Sequence, residues 1–154
     1  DTCMSDVVRL AEDNDLKKCV VLALDMIREG YYKDYDIDEV EMTHHAKRAF
    51  HQPDWMFLVY EKDDEVVGFF SAQITKTFFG HDLIAEQNLM YIDPKARGNI
   101  NIAMSFMREF RNWAKVNKCK GAFFAPTVSV HSGFDIIAKR LGYDYVGPMY
   151  GRTP

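Results

Sequence analysis

Apolar positions recur along this chain with two periods, and each change of period marks a change of element. Residues 7–10 form a short β-prone run. Asp13, Asn14 and Asp15 then offer capping oxygens to a helix that ends at Gly30, since Leu16, Cys19, Val20, Ala23, Met26 and Ile27 fall on one helical face. Positions 31–52 are less regular. There Asp36 or Asp38 would cap a second helix and Pro53 would stop it. Segments 55–61 and 66–75 are rich in β-branched and aromatic residues, and the polar Lys62-Asp63-Asp64-Glu65 between them reads as a hairpin turn. Positions 83–92 add a third antiparallel strand, which Asp93-Pro94 breaks.

The period then lengthens. From 101 to 117, Ala103, Phe106, Met107, Phe110 and Ala114 share one face, with Arg108, Glu109, Arg111 and Lys115 largely off it. This spacing predicts the clearest helix of the chain. Positions 121–125 are nearly uncharged, as in a strand buried on both faces and paired in parallel across that helix. Phe134, Ile137, Ala138 and Leu141 predict a last helix with Gly142 as its C-cap, and 143–150 a closing strand. The resulting class is α+β: a mixed, mostly antiparallel sheet of about six or seven strands flanked by about four helices.

Composition narrows the function. At 154 residues the chain fits one domain, and 47% hydrophobic with 27% charged residues is the balance of a packed globule. Nineteen basic against 23 acidic residues leave a net charge of −4, which disfavours a broad grip on nucleic acid. No apolar stretch approaches the roughly 20 residues of a membrane span. Cys3, Cys19 and Cys119 are odd in number and lack CxxC spacing, so a reducing, cytoplasmic setting is expected. His44 and His45 are adjacent, and no HExxH or Cys-His spacing occurs, so no metal site is expected.

The stretch richest in chemistry is Leu89-Met90-Tyr91-Ile92-Asp93-Pro94-Lys95-Ala96-Arg97-Gly98-Asn99-Ile100-Asn101-Ile102-Ala103. It joins a strand, a proline turn, a basic glycine-containing loop and the strongest helix. A loop opening a helix presents unpaired N–H groups at the positive end of the helix dipole, which suits phosphate. The same spacing also describes a plain connection with solvated cations.

Order along the chain separates these readings, because the sequence resembles the GNAT N-acetyltransferases from Val7 to Tyr150. Three pieces carry the resemblance: the loop just quoted, the helix ending in Leu141-Gly142-Tyr143, and the hairpin containing Val66-Val67-Gly68-Phe69. The resemblance implies acetyl-coenzyme A as cosubstrate and transfer of its acetyl group to a primary amine, a small molecule or a peptide. It implies that backbone groups of Leu89, Met90 and Tyr91 receive the pantetheine arm. Arg97, Gly98, Asn99, Ile100, Asn101, Ile102 and Ala103 would hold the pyrophosphate, in a register that puts Asn101 and Ala103 at the two small positions. His131, or Ser132 beside it, would contact pantetheine.

Many members of that family carry a Tyr four residues before the glycine of the last helix, where this chain has Ala138. Tyr143, Tyr145 or a water would then protonate the departing thiolate, unless it leaves unassisted. Glu86 is the first choice for general base, ahead of His81 and Asp82; an exposed residue on the polar face of its strand is the plainer account. Tyr32, Asp34 and Tyr35, in the aromatic and acidic run after the first helix, would cradle a cationic acceptor or simply cover the sheet edge. Two other classes stay open: a scaffold of this kind that has lost catalysis and serves as a binding or structural protein, as a small virus-encoded chain could, and an unrelated anion-binding module. A homodimer through aromatics such as Phe78, Phe79 and Tyr150 is also left open.

Overall fold

A computed structural model describes residues 6–125 and 134–146. In chain order the elements are β1 (Val7–Leu10), α1 (Leu16–Glu29), α2 (Glu39–His51), β2 (Trp55–Lys62), β3 (Glu65–Lys76), β4 (Leu83–Ile92), α3 (Ile100–Val116), β5 (Gly121–Phe123) and α4 (Phe134–Arg140). The strands form one sheet in the order β1-β2-β3-β4-β5, antiparallel except for the parallel β4–β5 pair. The α+β class and the mostly antiparallel sheet match the sequence reading. The described residues hold five strands, fewer than expected: Tyr143 to Val146 lie outside any strand, and 147–150 lie outside the described residues.

Local chemistry accounts for the boundaries. Asp63 and Asp64 both take positive φ, 52° and 61°, the geometry of a two-residue hairpin whose twist suits the flanking strands. Asp38 caps α2 by accepting from the N–H groups of Val40 and Glu41. Gly142, at φ 80°, follows α4 in the left-handed region, and the N–H of Tyr143 reaches back to the Ala138 carbonyl at 3.0 Å. That closes the helix as its glycine predicts.

The alternation of strand side chains sends two residue sets to opposite faces. Met56, Leu58, Phe70, Ala72 and Ala85 meet Ile102, Phe106 and Phe110 of α3 on one face. Phe57, Val59, Phe69 and Tyr91 meet α1 and α2 on the other. Among the described residues, no helix is long and apolar enough to cross a membrane.

Candidate active site

β4 and its neighbours build the site. The parallel ladder joins Ile84, Ala85 and Glu86 to Gly121, Ala122 and Phe123 and stops there, while β4 continues to Ile92. Beyond Glu86, β4 has no ladder partner on this side among the described residues. The Ala125 N–H, two residues past β5, donates to the Gln87 side-chain carbonyl at 2.8 Å in place of a backbone ladder bond.

A bulge makes this stretch of β4 chemically distinctive. Ser71 of β3 pairs with Leu89 and Ala72 with Gln87, so Asn88 is an extra residue in β4. Side chains alternate strictly along a strand, and one extra residue moves everything beyond it to the other face. Glu86 and Leu89 would otherwise point apart. With the bulge, Glu86, Leu89 and Tyr91 all lie on the α1–α2 face, because their β3 partners Gln73, Ser71 and Phe69 alternate on that face. Glu86 stands where the β4–β5 ladder ends, exposed, with the Thr75 hydroxyl donating to its Oε2 at 3.4 Å.

Past β4, a proline turn leads into α3. Gly98 takes φ 96°, and a Cβ there would meet nothing within 4 Å, so the glycine serves the backbone turn and leaves open space beside it. Asn99 caps α3, its side chain accepting from the Asn101 N–H at 3.1 Å. Ile100 is exposed, whereas Ile102 and Ala103 are buried in the core, so their side chains support the loop from beneath.

Arg97 differs from the solvated cation that the spacing leaves open. Its guanidinium forms an ion pair with Glu29 at the end of α1, with Nη2 to Oε2 at 2.7 Å. Its Nε donates to the Ile92 carbonyl at 2.9 Å, and the group lies over the Tyr91 ring, 5.2 Å from its centroid. The Tyr91 hydroxyl donates to the same Glu29 carboxylate at 2.9 Å. Burial, then this bond to Glu29, pushes the Tyr91 phenol up to about 12. Arg97 therefore locks the loop to β4 and α1. Glu29 is the partner of Arg97 that sequence reasoning missed, being 68 positions away with no local signal.

The remaining expected residues fall elsewhere. Tyr143 packs edge-on against Phe124 at 4.8 Å and its hydroxyl donates to the Met107 carbonyl at 3.3 Å, with burial pushing the phenol above its ordinary value. Ala138 is half-buried beside Met107 and Ile137. Tyr32 and Tyr35 lie in the α1–α2 loop with Tyr31, half-exposed and packed edge to face, 5.1 Å apart, and Asp34 is exposed beside them. His131 and Ser132 lie outside the described residues. No group of three or more potential metal ligands occurs among the described residues.

No protein-family model and no curated protein matches the chain. Solved structures do. A GNAT family acetyltransferase from Staphylococcus aureus is similar at a TM-score of 0.64 and 16% identity, over 98% of this chain and 100% of that one. A transcriptional regulator from Bacillus halodurans aligns at 0.75 and 14%, over 97% and 99%. A predicted acetyltransferase with acetyl-CoA from Clostridium acetobutylicum aligns at 0.73 and 17%, over 97% and 96%. The chain has the fold of the GNAT acetyltransferases.

Proposed function

We propose that the chain is an acyl-CoA-dependent N-acyltransferase that moves an acetyl group from acetyl-CoA to a primary amine. The observation that carries this reading is the bulge at Asn88, by which Glu86, at the end of the β4–β5 ladder, shares a face with Leu89 and Tyr91. Fold alone would not carry it, since one fold hosts many functions.

In this reading the pantetheine arm lies along Leu89, Met90 and Tyr91, and backbone N–H groups there polarise the thioester carbonyl. The pyrophosphate meets the backbone from Gly98 to the start of α3, which suits an anion by its dipole. Because Glu29 already balances the Arg97 charge, the backbone supplies most of that grip. The amine nitrogen attacks the carbonyl carbon, Glu86 takes the proton lost by the ammonium, and the carbon–sulfur bond breaks to release the thiolate. With the Tyr143 hydroxyl committed to Met107, solvent protonates the thiolate.

Release of free thiol from acetyl-CoA in the presence of an amine panel tests the reading. Glu86→Gln is expected to lower kcat about 100-fold to 10,000-fold, the usual contribution of a positioned base, while leaving acetyl-CoA binding unchanged. A protein that binds acetyl-CoA yet transfers to no amine would instead be a scaffold without catalysis.

A further inference from the structure

On the α1–α2 face the sheet is not fully covered. A cavity of about 330 Å3 lies between the two helices and the strands, within the range of small-ligand pockets. Its floor is Phe57, Phe69, Ser71 and Leu89. Its walls include the short or apolar Cys19 and Ala23 of α1 and Met42, Ala46 and Ala49 of α2. Burial pushes the Cys19 thiol up to about 12, so it contributes an apolar wall and no reactive thiolate. Ser71 is the one side chain of the floor with a polar atom, and it is 2% exposed. The remaining polar lining residues, Glu41, His45 and Arg48, all come from α2.

The cavity meets the proposed reaction edge through Leu89, and Ser71 is the β3 partner of Leu89 at the bulge. A molecule seated on Phe57 and Phe69 would therefore reach the same β4 segment that receives the thioester. We propose that this cavity holds the body of the acceptor, and that the acceptor is a primary amine carried on an aromatic or branched aliphatic group. This rests on the acyl-transfer reading. A sugar amine would bring several hydroxyls to a floor with one hydroxyl partner, since the other polar lining groups, Glu41, His45 and Arg48, stand exposed on α2, and each buried hydroxyl left unpaired costs roughly tenfold in affinity. A polyamine would bring a second ammonium to walls whose single carboxylate is the exposed Glu41.

The test compares 2-phenylethylamine and 3-methylbutylamine with glucosamine and spermidine in the thiol-release assay, alongside direct titration of 2-phenylethylamine into the protein. The expected result is a kcat/KM at least 100-fold higher for the apolar amines. Ala23→Leu and, separately, Ala46→Leu should raise KM for these amines about tenfold and leave KM for acetyl-CoA unchanged. Preference for glucosamine or spermidine would overturn the cavity assignment and leave acyl transfer standing. Binding of 2-phenylethylamine that Ala23→Leu abolishes, without turnover, would support the cavity and defeat the acyl-transfer reading. Neither binding nor turnover of the apolar amines, or a KM unmoved by both fillings, would overturn the proposal.

Discussion

The two faces of the sheet are packed to different standards. On the α3 face, Phe70 stacks on Phe106 at 5.9 Å and meets Phe110 at 5.2 Å, and all three are fully buried with Ile102 and Met107. On the α1–α2 face, Phe57 stacks on Phe69 at 5.6 Å, but the helices above present alanines and leave a cavity of about 330 Å3. One face holds the fold together, and the other keeps room beside the edge of β4. A protein interior is ordinarily filled to crystal-like density, so the space retained over Phe57 and Phe69 departs from that rule and suits the acceptor proposed above.

The sharpest way to break this comparison is Phe106→Ala. Its ring stacks on Phe70 and meets Tyr60 edge-on at 6.3 Å, so the variant should lose about 3–5 kcal/mol in denaturant unfolding. A loss below about 1 kcal/mol would mean that the α3 face is as loose as the other.

Adding volume should separate the faces in the opposite direction. Ala72→Leu, on the fully buried α3 side, is expected to cost about 1–3 kcal/mol through overpacking. Ala23→Leu adds the same atoms to the cavity and should change stability by less than about 1 kcal/mol. Equal costs at the two positions would remove the distinction.

The looser face is fastened at its start by charge. Arg9 of β1 donates to both Asp15 oxygens, at 2.7 and 3.0 Å, and to Glu61 of β2 at 2.7 Å. The Asp15 carboxylate also accepts from the Glu12 N–H at 2.8 Å. These bonds, that of Arg9 foremost, hold the Asp15 carboxyl below its ordinary range. Unfolded Asp titrates near about 3.9, so this stabilisation is complete above that value and is lost as the pH falls through it toward the lower folded value. Asp15→Asn should cost about 1–3 kcal/mol at neutral pH, and its stability should fall less steeply than that of the parent below about pH 5. Parallel acid profiles for the two proteins would show that the clamp does not fasten α1.

Much of this architecture was legible in the sequence because its causes are local. The hairpin around Asp63-Asp64, the apolar stripe of α3 and the cap at Gly142 are each written within a few residues. The geometry of the candidate site was legible only in outline. Glu86 and the Leu89 to Tyr91 segment lie on one strand, but their shared face depends on a bulge set by register against β3, and Asn88 carries no local mark of it. The capture of Arg97 by Glu29 and the cavity over Ser71 arise from packing between distant segments, which periodicity does not encode. The expected role of Tyr143 came from its place after the helix, whereas the core engages its hydroxyl at Met107.

Calorimetric titration with acetyl-CoA tests the account most directly, performed on the parent protein, Arg97→Ala and Glu29→Gln. Parental binding is expected at about 1 μM, or about 8 kcal/mol. Arg97→Ala should lose only a few fold, because the backbone carries most of the grip. Glu29→Gln should tighten binding by releasing the guanidinium toward the pyrophosphate. No binding up to millimolar acetyl-CoA in the parent and in Glu29→Gln would contradict the bulged segment of β4 and the start of α3 as a coenzyme site.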